Sequence, residues 1–239
     1  LFTPAVGTVR HMNVEIDSAG DVHAAWMEDG PGATDSIRYL QFNPAGLGTA
    51  YGDQYLATSM TSVNVAGLPQ NGTPHLWVDT TGRPLVVWAE DKLVNTGLDI
   101  YIKRGTNANV PVFPVTAVKV NHDLTAFGRT DPNDRDQLHP SVAVDGSNRI
   151  WVVWEDRRQY SNGIDDYGEI YSRVYDDVFT TLIPDVPANH FDVHHWIGDH
   201  SPWIAFDRAN PGTTNAVMTW TADYTNTTDN VLSSVGTFQ

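Results

Sequence analysis

Apolar residues along this chain fall into short alternating runs, each closed by an aspartate. Four such runs are Asn13–Asp17, His75–Asp79, Ser141–Asp145 and Trp203–Asp207. A turn-rich stretch follows each one, for example Ser18-Ala19-Gly20-Asp21 and Thr80-Thr81-Gly82-Arg83. Aspartate opens such turns because its side chain accepts the backbone N–H two residues on, and glycine takes the positive φ that closes them. A second apolar run then ends in Trp26, Trp88, Trp154 or Trp220. The Asp-to-Trp interval is 9, 9, 9 and 13 residues, the last lengthened by Asn210-Pro211-Gly212. Period-2 patterning bounded by turn residues predicts β-strands.

Third strands are expected at 37–40, 100–103, 170–173 and 231–234. Fourth strands are expected at 55–58, 113–116 and 179–182. The fourth repeat ends without one, but Leu1–Val6 reads like Val112–Ala117 and is expected to complete it. Successive tryptophans stand 62, 66 and 66 residues apart. Radial repetition of four-stranded sheets defines a β-propeller. The expectation is therefore one all-β domain over 1–239, a four-bladed propeller of antiparallel strands whose N-terminal strand closes the last blade. The repeats cover about 9–62, 71–120, 137–186 and 200–239 plus 1–8.

Composition supports a globular all-β chain: 8 Trp, 9 Tyr and 8 Phe supply core, and 19 Gly with 14 Pro supply turns. The formal charge is −15, from 29 acids against 14 bases. Such a field repels nucleic acid, whose phosphates need clustered cations. No apolar run is long enough to span a bilayer as a helix. There is no cysteine, which excludes disulfides and thiolate chemistry. The chain begins at Leu1 rather than Met, and the expected location is secreted, periplasmic or at the cell surface after removal of a signal peptide.

His139–Asp145 running to Trp151–Arg157 and Ile170–Arg173, with Asp199–Asp207, resembles the repeats of secreted bacterial sialidase-like (BNR-type) propellers. The resemblance spans nearly the whole chain and implies the fold. Such repeats serve hydrolases, lectins and adhesins alike, so it does not select an activity. This sequence lacks the Ser-x-Asp-x-Gly-x-Thr-Trp box in every repeat, and it reads as four blades where sialidase rings have six. No arginine triad with a Tyr–Glu pair can be matched, and no catalytic residue is carried over.

In a propeller the first strand of each blade lines the axis, and the segments leading into those strands surround one mouth. Eight of the nine histidines fall there. The ligand-binding candidates at this mouth are His11, His75, Arg135, Asp136, His139, His195, Asp199, His200 and Trp203. Imidazole with carboxylate is also a ligand set for divalent metals. The metal candidates are His139, His194, His195, His200 and Asp199. Structural roles holding loop backbone are the competing reading of these histidines. Acids after each repeat tryptophan (Glu28, Glu90, Glu155–Asp156) make Ca²⁺ or another divalent cation a candidate in the channel or loops, although the ordered Asp-x-Asp-x-Asp-Gly spacing is missing. An architectural capping role competes with it. The repeat tryptophans read as core wedges between blades. Trp77, Trp196 and Trp203 break that pattern, and an exposed indole can stack on a sugar ring.

Three functions remain open, in this order. The first is a secreted module binding carbohydrate or a protein partner, as a monomer or homo-oligomer. The second is a glycan-active hydrolase or lyase of sialidase-like fold. The third is a structural or assembly domain of a larger surface protein.

Overall fold

A computed structural model describes residues 9–29, 34–43, 50–61, 73–90, 98–106, 111–122, 136–157, 169–188, 199–207, 215–223 and 229–237. These form four antiparallel sheets. Sheet one holds β1 (Val9–Ile16), β2 (Val22–Asp29), β3 (Thr34–Phe42) and β4 (Ala50–Thr61). Sheet two holds β5 (His75–Val78), β6 (Pro84–Glu90), β7 (Asp99–Arg104) and β8 (Val118–Lys119). Sheet three is β9 (Gln137–Val144), β10 (Ile150–Asp156), β11 (Glu169–Tyr175) and β12 (Thr181–Pro187). In sheet four, β13 (Asp199–Phe206), β14 (Asn215–Asp223) and β15 (Asp229–Thr237) are described. Strands follow chain order within each sheet. The Leu1–Val6 strand expected to close sheet four lies outside the described residues. Among the described residues no helix is long and apolar enough to cross a membrane.

The first hairpin of each sheet is built by its aspartate. Oδ1 of Asp17 accepts the N–H groups of Ala19 and Asp21, each at 2.9 Å. Asp79 does the same for Thr81 and Arg83 at 2.9 and 3.0 Å, and Asp145 for Ser147 and Arg149 at 2.9 Å. The fourth turn residue takes a left-handed conformation at Gly20, Gly82 and Asn148, with φ of 86°, 81° and 60°. A matching turn joins β11 to β12, where Asp176 caps Val178 and Thr180 and Phe179 takes φ 63°. That turn claims Phe179, so the fourth strand of sheet three starts later than the sequence pattern suggested. In sheet two the expected strand at 113–116 is absent and only the short β8 pairs with β7. Pro111 and Pro114 carry no N–H to donate to a ladder.

The sheets stack face to face. Ala25, Met27, Ile37 and Tyr39 of sheet one meet Leu76, Val86, Trp88 and Tyr101 of sheet two. A larger core joins sheets two, three and four around Leu85, Ile100, Val142, Trp154, Ile204 and Met218. Trp26, Trp88 and Trp154 are buried, as expected of wedges, and Trp220 is partly buried. The indole N–H of Trp88 donates to Glu90 at 2.9 Å, and that of Trp154 to Asp156 at 2.8 Å. The acid two residues after these tryptophans therefore caps an indole.

A second repeated device joins the innermost strands across the sheet boundaries. The N–H of Leu76 donates to Asn13 Oδ1 at 2.9 Å, that of Val142 to His75 Nδ1 at 3.1 Å, and that of Ile204 to Ser141 Oγ at 3.1 Å. Asn13, His75, Ser141 and Trp203 occupy the same place in the four repeats. On β1, the first strand of sheet one, the pattern changes: Met12, Val14 and Ile16 are 58%, 49% and 59% exposed.

Sheets two and three are also locked by charge. Asp79 Oδ2 accepts from Arg83 Nε at 2.9 Å and from Arg104, while Asp177 accepts from Arg83 at 2.8 Å and from Arg104 as well. Both carboxyls lie below the ordinary 3.8. For Asp79, burial pushes upward, but hydrogen bonds from Thr81, Arg104 and Arg83 outweigh it. For Asp177 the Arg83 hydrogen bond leads. The native state thus holds these protons less tightly than the unfolded chain. Their contribution is present above pH about 4 and is lost as pH falls through the lowered native values. The urea midpoint should fall on acidification below about pH 4. Asp79→Asn should flatten that fall, and an unchanged slope would contradict the assignment. At the turns, Gly82→Ala should cost about 1–2 kcal/mol because alanine is strained at positive φ. Asn148→Gly should cost nothing, and urea denaturation of the two variants separates these outcomes.

Candidate functional site

The first strands of the four sheets lie side by side, β1 against β5, β5 against β9 and β9 against β13. The N-terminal ends carry the histidines, and the C-terminal ends carry the aspartate turns.

At the N-terminal mouth three innermost strands share an irregularity. Register shifts interrupt β1 between Arg10 and Asn13, β13 between His200 and Trp203, and β9 at the corresponding level. His11, His139 and Ser201 sit in these bulges with φ of 50°, 46° and 51°. A left-handed non-glycine residue costs of order 1–3 kcal/mol, and such strain concentrates where a side chain must be re-aimed for function.

In sheet three the bulge sets His139 against a buried carboxylate. His139 Nδ1 lies 2.8 Å from Glu155 Oε2, and Arg157 Nε donates to Glu155 Oε1 at 2.9 Å. Glu155 is fully buried, whereas His139 and Arg157 reach the surface. This arrangement fixes the imidazole's orientation and leaves Nε2 as its second polar atom. A carboxylate behind a histidine is the usual means of holding that ring for hydrogen bonding or proton transfer. Beside it, Asp136 Oδ1 accepts the N–H of Leu98 at 2.9 Å, and the Asp136 carbonyl accepts from Arg157 N–H at 3.1 Å. Asn121 bridges Asp99 and Gln137 at 2.8 and 2.9 Å, completing the seam between sheets two and three.

The other candidates are distributed as follows. His11 is exposed on β1. His75 is only 4% exposed, with its pKa pushed down to about 3 by burial. Trp203 is 46% exposed and meets His75 edge to face, ring centroids 4.4 Å apart at 88°. Asp199 and His200 lie on β13 opposite Ala222 and Thr221. Arg135, His194 and His195 lie outside the described residues. Among the described residues no three His, Asp or Glu side chains gather to hold a metal ion. Arg157 is the site residue that the motif reading passed over, and Glu155, expected there as a cation ligand or turn cap, is instead the partner of His139 and Arg157. Counting outward from the Asp145 turn, where Val144 faces Ile150, brings Glu155 level with the His139 bulge.

At the C-terminal mouth lies a cavity of about 290 Å³ lined by all four sheets, with Trp77, Val78, Val144 and Phe206 among its walls. Three of the four aspartates that line it are engaged in structure. Asp17 Oδ2 faces His23 Nε2 at 3.3 Å, Asp79 binds Arg83 and Arg104, and Asp145 binds Arg149 Nε at 2.6 Å and the Trp151 indole at 3.1 Å. Their carboxylates cap turns and pair with neighbours, and this enclosed volume lies at the opposite end of the first strands from the histidines.

No family model and no curated protein sequence matches the chain. Its backbone is similar to solved β-propeller glycoside hydrolases. An α-L-arabinanase of Penicillium chrysogenum complexed with arabinobiose superposes with a TM-score of 0.61 at 13% identity, over 96% of this chain and 63% of that one. The GH93 α-L-arabinofuranosidase of Fusarium graminearum gives 0.61 at 11% identity, over 98% and 65%. A Hadza microbial sialidase gives 0.54 at 12%, over 95% and 44%. This chain therefore spans less than two thirds of the length of each. These likenesses establish an all-β propeller fold. They also overturn the order of functions expected from sequence: the neighbours cleave glycosidic bonds, so the glycan-active hydrolase displaces the binding module as the favoured reading. The repeat misled on this point because it specifies a scaffold shared by binders and enzymes.

Replacing Glu155 by Ala removes the buried charge between His139 and Arg157 and should cost about 3–5 kcal/mol in urea denaturation. Glu155→Gln retains the shape and should cost less; equal losses would show that volume, not charge, is what Glu155 contributes.

Proposed function

We propose that this chain forms the propeller scaffold of a glycoside hydrolase, with its saccharide bound at the mouth where β1, β5, β9 and β13 begin. The observation that carries the reading is the backbone likeness, over 96% of the chain, to arabinose-releasing propeller enzymes. The chain's own chemistry supports it: strained bulges, a histidine oriented by a buried carboxylate, and a half-exposed indole gather at one mouth.

Glycoside hydrolysis needs one carboxyl to protonate the leaving oxygen and a second to act as base or nucleophile. Glu155 is too deeply buried to touch a sugar, and its place is behind His139. Asp136 and Asp199, at the entrances to β9 and β13, are the carboxylates we assign to the reacting bond. Nε2 of His139 and the guanidinium of Arg157 would hold sugar hydroxyls, and Trp203 would stack on the ring's C–H face. His11, Arg135, His195 and His200 are assigned to the rim on the strength of their sequence position. Export from the cell, and completion of sheet four by Leu1–Val6, belong to the same reading.

The test is hydrolysis of 4-nitrophenyl α-L-arabinofuranoside, linear arabinan and a sialyl glycoside by the purified chain. Turnover of at least one is expected, and Asp136→Asn or Asp199→Asn should lower kcat by about 10²–10⁴. No turnover of any substrate by the folded wild-type chain would overturn the reading.

A further inference from the structure

We propose that His75 is a positioning residue for Trp203: its Nε2–H is delivered to the face of the indole and fixes that ring as a platform for saccharide. This inference rests on the reading of the mouth as a saccharide site.

The argument begins with the ladder across the sheet boundaries. Its three acceptors are an amide oxygen (Asn13), an imidazole nitrogen (His75) and a hydroxyl (Ser141). Asparagine and serine therefore suffice for the task, so the ladder alone does not call for histidine. What histidine adds is a ring and a second nitrogen.

The ladder also decides where the proton sits. Nδ1 accepts the Val142 N–H at 3.1 Å, so it carries no hydrogen, and the neutral ring is protonated on Nε2. Nε2 is buried and has no hydrogen-bond partner among the described residues. A buried donor without an acceptor costs about 1–3 kcal/mol. The aromatic ring against the imidazole is Trp203, 4.4 Å away and perpendicular to it. A perpendicular pair sets the edge of one ring against the face of the other; with the imidazole as the edge, as we propose, an N–H···π contact offsets part of the cost. Protonation would place a hydrogen on Nδ1 against the Val142 N–H. Burial pushes the pKa down to about 3, so the ring stays neutral throughout the pH range of ordinary use.

Trp203 completes the argument from the other side. It holds the ladder position in the last repeat, yet an indole N–H cannot accept a hydrogen bond. It is 46% exposed where Leu76 and Val142 of the neighbouring strands are buried. A large aromatic surface held on one side and open on the other loses little freedom when a sugar stacks on it.

The experiment compares His75→Asn, His75→Ala and Trp203→Ala with wild type. His75→Asn keeps a ladder acceptor, as Asn13 does, and removes the contact with the indole. Its urea midpoint should match wild type, whereas His75→Ala should lower it. Binding of arabinobiose and of sialyllactose, followed by calorimetry, should identify the accepted sugar. The affinity for it should fall about two- to five-fold in His75→Asn and further in Trp203→Ala. In ¹H–¹⁵N spectra the Nε2–H of His75 should appear shifted upfield by the indole and should move downfield in Trp203→Ala. A resonance unmoved by that substitution, or a His75→Asn variant that binds sugar as wild type does, overturns the proposal. Wild-type protein that binds neither sugar sinks the saccharide reading instead, and the resonance still decides whether Nε2–H rests on Trp203.

Discussion

The first strands of sheets two, three and four (β5, β9 and β13) each present an N–H to the neighbouring sheet, and the alignment of these sheets depends on giving it an acceptor. A sheet satisfies its own backbone through its ladder, but the strand nearest the axis has one edge with no strand beside it. Main-chain pairing cannot bridge the gap because adjacent sheets meet face to face. Here one side chain from each of the first three repeats reaches across: Asn13 to Leu76, His75 to Val142, Ser141 to Ile204. Each bond joins residues 63 to 67 positions apart, so each sets the offset of one sheet against the next. Stacked apolar faces supply most of the attraction but little direction, since they would tolerate sliding; the side-chain bond supplies the register.

Electrostatics is organised around the same strands. An excess of acid of this size would strain a fold if its carboxylates were left to repel one another. Many are instead consumed locally, Asp17, Asp79, Asp145 and Asp176 by turn N–H groups and Glu90 and Asp156 by indoles. Asp79 shows the economy of the arrangement. One carboxylate closes its own turn, holds Arg83 in the same hairpin and receives Arg104 from β7, the third strand of its sheet. Both arginines continue to Asp177 of the next sheet, so a turn cap becomes a clamp between sheets.

What could be read from the sequence follows the range of each interaction. The aspartate turns were legible because an Asx turn is complete within four residues. The repeat tryptophans were legible because burial repeats with the fold. The strand expected near Phe113 failed for a local reason, the prolines around it, and Phe179 was lost to a turn that the apolar pattern does not register. His75 was placed correctly at the start of an innermost strand, but its burial depends on Trp203 and Val142, far away in sequence. The link between His139 and Glu155 lay within reach of counting from the Asp145 turn, yet only the bulge explains why those side chains meet. Function was the least legible level, since scaffold residues greatly outnumber those at the mouth.

The two ends of the first strands differ in how they spend conformational energy. At the C-terminal end Asp17, Asp79 and Asp145 each accept backbone N–H groups, and the left-handed residues of those three turns are Gly20, Gly82 and Asn148, types that adopt that conformation cheaply. At the N-terminal end His11, His139 and Ser201 hold left-handed conformations that cost energy, and the fold gains no turn in return. The bulges break the strand register just where the neighbouring ladder bonds restore it: Asn13 and Ser141 follow two residues after His11 and His139. Strain is thus confined between a rigid ladder below and the open mouth above. A side chain released there can be aimed at a ligand without loosening the sheets, which is the division of labour that a propeller needs in order to carry an active site.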